Sequence, residues 1–553
     1  MSVVVIESPC KWPELPVRSD SFEWVGESKN VSWIGKHKVF FFKVPTCLSG
    51  TPVLPHLLKC CSKDNGRRVE RFRIVQHKYV GRQYIKRFGG MVDADIDAVF
   101  AVADLIRLGK SEYEFLQREG HVATRGRRPA PCLRIDDFVS NFSEKAALTH
   151  WLQNPASVQP DVISYASKAR ELLPGDLFDR CAQFAVTQEG HPFFSDFQMN
   201  RRLLPRQQTE FTFIDLFAGI GGFRLAMQQE GGKCLFASEI DQGAVATYTD
   251  NFGVVPFGDI TKADTKAMIP KEFDILCGGF PCQAFSTAGL RDGFEDKLQR
   301  GTLYKQIVEI AKEHRPKAIF CENVKGLLSS ADGNALQIIS REIEGAGYNI
   351  VFNDILDSMD YGVPQHRERL YIVALRSDIY NKAQQREIAF PAPPDPISGH
   401  HPRNIGEILE DGPVSKSYYL GEKYLDTLVK HRARHAGTGN GGFGFIVRNR
   451  NDVAGTLMCG GMGRERNIIQ DDNQTDWDST MLKKIGGINS RHLRFLTTRE
   501  CARLQGFPDY FAIPDSIQAG YRQFGNCVTV KTVRAVGRAI LNYMRQCEAE
   551  VRQ

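Results

Sequence analysis

A chain of 553 residues, 42% hydrophobic and 25% charged, holds enough apolar material for two to four domains with a large core, which excludes intrinsic disorder. No apolar run reaches the roughly 18 residues of a membrane span, the N-terminus MSVVVIESPCKW lacks basic residues ahead of an apolar core, and the 14 cysteines include no CxxC pair; a cytoplasmic protein with reduced thiols, no metal site and no membrane contact is expected. The net charge of +6 is uneven, with 30 basic against 23 acidic residues over 1–207 (+7) and 41 against 42 over 208–553 (−1).

Residues 1–207 are mixed in texture, with a strand pattern in HKVFFFKV and a helix pattern in DIDAVFAVADLIRLGKSEYEFLQ, and hold no motif of chemical meaning. Between Lys59 and Arg87 ten basic and two acidic residues interleave with Phe72, Tyr79 and Tyr84. Phosphates attract Lys and Arg while rings stack on bases, so the stretch is either a nucleic-acid surface or a solvated charged face. From Phe211 apolar runs alternate with helical patterns: FTFIDLF, GGFRLAMQQEG, KCLFASEI, GAVATYTDNFG, FDILCGGF, GTLYKQIVEIAKEHRP, KAIFCENV, ALQIISREIEGAGY and RLYIVALR. This alternation predicts a parallel, doubly wound α/β sheet over 208–376. Residues 377–492 break the rhythm, are rich in Gly, Arg, Asn and Asp, and read as a separate loop-rich module.

Ligands of open α/β sheets bind beyond the carboxyl ends of the strands. The first strand ends in DLFAGIGGF, whose glycines at 219, 221 and 222 do not make the dinucleotide pattern GxGxxG because Arg224 takes the sixth place. A glycine turn followed by Glu239 in SEI and Asp259 in GDIT suits an adenosine without a phosphate chain, although a strand-end acid taken singly is more often a helix cap. Cys282 in CGGFPCQAFS follows a proline and a glycine pair, a setting that a buried structural cysteine does not need. Arg367 and Arg369 in QHRERL alternate, so on a strand both share one face.

FIDLFAGIGGFRLAM, GGFPCQAFS, ENV, QHRERL, RECARLQGFP and QFGNCV, in that order between Phe211 and Met544, resemble the sequence blocks of the bacterial DNA (cytosine-5)-methyltransferase family. The resemblance implies a doubly wound Rossmann-like S-adenosylmethionine methyltransferase domain at 208–376, a smaller loop-rich target-recognition domain at 377–492, and a C-terminal part at 493–553 returning to the catalytic domain. It is silent on 1–207, an additional mixed α+β N-terminal region that is basic and open to a DNA-binding or transcription-regulatory role. It further implies a cytosine flipped out of duplex DNA, at a few kcal/mol of unstacking, and methylated at carbon 5 through a covalent adduct of Cys282 with carbon 6. A thiolate is the fitting nucleophile for that addition. Glu322 would protonate or hydrogen-bond ring nitrogen N3 while Asn323 shapes the turn, and Arg367 and Arg369 would hold the base's carbonyl, the cysteine loop or a phosphate.

By the same resemblance Phe217 would stack on the adenine of S-adenosylmethionine, Gly219 and Gly221 would admit its methionine portion, Glu239 would bind the ribose and Asp259 the adenine amine. Ile240 and Ile260 would line the site, and Asn526 and Val528 would close it. Ile240 stands where many relatives have tryptophan and Cys527 where serine is usual, departures that put affinity in doubt before activity. Ser286, Arg448, Arg450, Thr456, Leu457, Arg464 and Arg466 are the expected DNA contacts, of which the arginines serve guanines or phosphates. The resulting expectation is a monomer acting on double-stranded DNA, solitary or paired with a cognate restriction endonuclease; a tRNA substrate is the alternative.

Overall fold

The computed structural model describes residues 133–154, 164–182, 194, 197, 200, 203, 209–281, 303–330, 333–399, 401–435, 445–459, 464–471 and 488–548, and the backbone of six short strands before residue 76. The chain forms two compact units, 1–137 with 190–197, and 138–189 with 198–553. In the first, strands β1 (Val3–Ser8), β2 (Glu23–Ser28), β3 (Lys38–Lys43) and β4 (Arg71–Val75) make an antiparallel sheet in the order β2-β3-β1-β4. The strand expected in HKVFFFKV is β3; the helix expected after it lies outside the described residues, as does most of Lys59–Arg87.

The second unit is built on six strands, β5 (Phe211–Leu216), β6 (Gly232–Ser238), β7 (Ile275–Gly278), β8 (Ala318–Val324), β9 (Tyr348–Asp357) and β10 (Glu368–Arg376), ordered β9-β10-β8-β7-β5-β6. Strands β5 to β8 run parallel and are buried along almost their whole length, which is why they read as unbroken apolar runs. The sheet departs from the all-parallel expectation at β10, which is antiparallel to both β8 and β9. The ten residues between β9 and β10 are too few for the helical crossover a parallel return requires. Strand β9 itself was not legible, because only two of its ten residues are buried at positions an apolar pattern would mark, Phe352 and Leu356, besides Tyr348 at its start.

Helices α1 (Phe142–Gln153), α2 (Tyr165–Leu172) and α3 (Gly175–Ala182) belong to this second unit. The crossover helices are α4 (Gly222–Gln229), α5 (Gln242–Phe252), α6 (Tyr304–His314) and α7 (Ala335–Gly345). Asp241 caps α5 by accepting from Ala244 N–H at 2.9 Å, and Gly253, at φ 68°, ends it. After α8 (Ser377–Gln385) and α9 (Glu422–His435), short strands at Val447–Arg448, Ile468–Gln470 and Leu493–Arg494 form a small mixed sheet. Arg494, wholly buried, binds Asp471 at 2.6 Å and both oxygens of Glu500 at 2.8 and 2.9 Å, tying that sheet to α10 (Thr498–Leu504). Helix α11 (Ile517–Asn526) leads into α12 (Val530–Glu548), which lies on α4, its Arg534 and Arg538 bonded to Glu230 at 2.6 and 2.8 Å. Among the described residues no helix is long and apolar enough to cross a membrane.

Candidate active site

The turn after β5 carries left-handed φ angles at Phe217 (56°), Gly219 (55°) and Gly221 (88°). Only the phenylalanine pays a steric penalty for it. A Cβ on Gly221 would stand 2.3 Å from the Phe252 ring, so the turn packs closely on α5, whereas a Cβ on Gly219 would meet nothing within 4 Å. The turn thus leaves open space on one side. Glu239, at the end of β6, accepts from Gly219 N–H at 2.8 Å through one oxygen and from Ile240 and Asp241 N–H at 2.8 Å through the other, and burial pushes its carboxyl pKa up. Beside it Ile240 is 68% exposed, an apolar surface offered to a flat ring.

In place of a seventh strand, Phe257 makes a single parallel bridge to Ser238, its N–H bonded to Ala237 O at 2.7 Å and its carbonyl to Glu239 N–H at 2.8 Å. Asp259 follows, half-buried, with one oxygen accepting from both Thr261 N–H and Thr261 Oγ1, and Ile260 is buried. Arg224, the cation nearest the turn in sequence, points inward to Gln228, Tyr248 and Gln153 and cannot serve a phosphate. Open space, two acids, an exposed apolar side chain and an inward-turned Arg224 fit an adenosine bearing a sulfonium.

At the neighbouring strand ends the chain from β7 runs through Gly279 and Phe280 to Pro281; Cys282 and Ser286 lie outside the described residues. Asn323 Nδ2 donates to Phe280 O at 3.2 Å, and a Cβ on Gly279 would stand 3.7 Å from Glu322 Oε2. The segment that delivers Cys282 is therefore held against the Glu322 carboxyl. Glu322 is 9% exposed and paired with Arg369, Nε to Oε1 at 3.2 Å. Burial raises its pKa, and the guanidiniums of Arg369 and Arg367 oppose that rise.

Arg367 and Arg369 go separate ways. Arg367 precedes β10 and is buried, donating to Leu457 O at 2.9 Å, Gly525 O at 3.1 Å and Cys527 O at 2.7 Å. A guanidinium has five donors in a fork, and three carbonyls from two distant chain segments converge on it. Gln365, also buried, takes Leu457 N–H at 2.8 Å and donates to Leu504 O at 3.0 Å. Leu457 is gripped through both its backbone groups. Thr456 Oγ1 adds a bond to His366 O at 2.7 Å. Sequence reading missed Gln365, although its place two residues before Arg367 was the available signal.

Arg448 is half-buried with Nε donating to Arg466 O at 3.3 Å, Arg450 is exposed, Arg466 is half-buried, and the Arg464 side chain lies outside the described set. Asn526 is exposed, while buried Val528 comes within 3.9 Å of a Cβ on Gly279 and 2.7 Å of one on Gly222. The C-terminal segment thereby meets both strand-end turns.

A mixed sheet with one antiparallel strand, whose glycine turn has open space on one side and a nearby arginine turned inward, fits the class of S-adenosylmethionine-dependent methyltransferases. The sequence pattern of the C-5 cytosine-specific DNA methylase family matches residues 211–542. Type II methyltransferase M.HpaII of Haemophilus parainfluenzae is 48% identical over 338 residues, 61% of this chain and 91% of that one. Type II methyltransferase M.MspI of Moraxella sp is 37% identical over 376 residues, 67% of this chain and 80% of that one. Among solved structures, the S. pombe Dnmt2 methyltransferase covers 61% of this chain and 99% of its own at 20% identity and a TM-score of 0.43. The chain belongs to the C-5 cytosine-specific DNA methylases. It is a DNA (cytosine-5)-methyltransferase, with S-adenosylmethionine as methyl donor.

Proposed function

We propose that Cys282 is the nucleophile and Glu322 the acid of this reaction on a sequence-specific site in duplex DNA. The observation that carries the reading is the approach of the Gly279 backbone to the Glu322 carboxyl, whose Oε2 lies 3.7 Å from where a Cβ on Gly279 would stand, with Asn323 Nδ2 donating to Phe280 O. S-adenosylmethionine supplies an electrophilic methyl group when bound. The Cys282 thiolate forms a bond to carbon 6 of the flipped base, and the displaced ring electrons make carbon 5 nucleophilic as Glu322 gives its proton, or a hydrogen bond, to N3. After methylation a water takes the carbon 5 proton, the freed electron pair restores the carbon 5–carbon 6 double bond as the Cys282 thiolate leaves carbon 6, and the N3 proton returns to Glu322. Arg369 keeps Glu322 oriented; Phe217, Gly219, Gly221, Glu239, Ile240, Asp259, Ile260, Asn526 and Val528 hold the donor.

Arg448, Arg450, Arg464 and Arg466, with Thr456 and Leu457 beside the Arg367 clasp and Ser286 on the cysteine loop, form the DNA-facing set. Relatives named as Type II methyltransferases support a modification role beside a cognate restriction endonuclease; action in the cytoplasm and as a monomer completes the proposal. Cys282→Ser should leave turnover below a hundredth of wild type, and DNA carrying 5-fluorocytosine should trap the wild type covalently, because fluorine cannot leave as a proton does. A serine variant that is trapped equally well rules Cys282 out.

A further inference from the structure

Helix α1 lies ahead of the stretch shared with the family, 211–542, yet every residue from Ala146 to Gln153 is buried. A helix apolar and polar alike on its buried sides is a core element whose polar atoms must find partners. They find them along the free edge of β6. His150 Nδ1 lies 2.9 Å from Ala146 O, and since a carbonyl only accepts, Nδ1 carries the proton. The neutral ring is left with a bare Nε2, which accepts Ala237 N–H at 3.1 Å, where a neighbouring strand would otherwise pair. One turn on, Asn154 Nδ2 donates to Cys234 O at 3.4 Å. Thr149 Oγ1 accepts Val255 N–H at 3.1 Å, and Gln153 accepts from buried Arg224 at 2.6 Å while donating to Phe252 O at 3.5 Å. The His150 ring is 4.6 Å from that of Phe257, with Tyr165 of α2 at 5.6 Å from it.

Each partner sits a few residues from the cofactor site: Ala237 two before Glu239, Val255 four before Asp259, Arg224 three after Gly221. We infer that α1 is a positioning element for S-adenosylmethionine, its face of Thr149, His150, Gln153 and Asn154 fixing the segments that carry Glu239, Asp259 and the glycine turn, with His150 as the central contact. The inference rests on the placement of the donor at Glu239 and Asp259.

The full chain carrying His150→Phe keeps a ring of similar size and loses both bonds. Its KM and Kd for S-adenosylmethionine should rise about tenfold, with kcat at saturating donor and KM for DNA within about twofold of wild type, the size of loss expected when one hydrogen bond to a positioning segment is removed. His150→Gln, which returns an acceptor toward Ala237 N–H, should recover most of the loss. Equal changes in both KM values, a donor KM near wild type, or a glutamine variant no better than phenylalanine would overturn the inference. Should His150→Phe not fold, Thr149→Val, which removes only the hydroxyl facing Val255 N–H, decides by the same split. Glu239→Ala is measured alongside: if it leaves donor affinity intact, the placement of the donor has failed, and if it weakens affinity while the α1 variants do not, the role of α1 has failed.

Discussion

At Glu322 two opposed influences set the chemistry. Burial raises the carboxyl pKa and two guanidiniums pull it down, with burial the larger. A group that must be protonated to act loses activity as pH climbs through its raised pKa, so single-turnover rates should show a basic limb. Glu322→Gln should remove that limb and lower the chemical step by about 10² to 10⁴-fold, with little change in KM. Arg369→Ala removes a charge that favours the ionised form, so the limb should move to higher pH; a shift to lower pH would contradict the 3.2 Å pairing as its cause. His150 gives the opposite case, a base held neutral, its pKa pushed down to about 3 by burial. Its stabilising contribution is complete above the unfolded value of about 6.5 and is lost as pH falls toward 3, because only the unfolded chain then takes the proton. Denaturation of wild type and His150→Phe at pH 7.5 and 5.5 should therefore show the stability gap narrowing by about 1.4 kcal/mol at the lower pH.

Among elements, the seam between β10, α11 and the Thr456–Leu457 segment is held by buried polar contacts. A Cβ on Gly525 would stand 2.5 Å from Cys459 N, so α11 and the recognition module meet backbone to backbone. Arg367 then joins both to β10. Replacing it by methionine keeps the bulk and strands three carbonyls, at a cost of roughly 1–3 kcal/mol for each that finds no water. Thermal denaturation should show that loss, and KM for DNA should rise, because the clasp holds the Thr456–Leu457 segment on the recognition side of the molecule. The alternation in QHRERL suggested two arginines on one strand face, but only Arg369 lies on β10, and Arg367 precedes it. What the alternation could not reveal is that three carbonyls from residues 457, 525 and 527 converge on Arg367, since those positions lie 90 to 160 residues away.

Across the whole molecule the charge lies apart from the chemistry, +7 before residue 208 and −1 after it. A nearly neutral catalytic part acting on a polyanion motivates the prediction that Lys59–Arg87 adds a sequence-independent grip on DNA. Replacing Arg67, Arg68, Arg71 and Arg73 by alanine should weaken specific and non-specific binding alike, and should reduce the slope of log affinity against log salt by about 0.9 for each phosphate that an arginine no longer neutralises. Base preference should survive, because phosphate contacts carry no sequence information directly. Equal slopes for the two proteins would remove DNA from the account of this stretch.

The sequence alone determined the parallel strands β5 to β8, whose burial on both faces forces continuous apolar runs, and the glycine turn with its acids, whose residue types follow from close approach and charge. It also marked Glu322 near a strand end, a position dictated by ligand chemistry. Only the tertiary structure decided the reversed β10, which depends on the shortness of a connection, and the inward course of Arg224 and Arg367, which depends on acceptors far away in the chain. It alone brought α1 into the catalytic unit. The bonds of His150, Thr149 and Asn154 join residues 80 to 106 positions apart, and no local periodicity records a helix standing in for a missing strand.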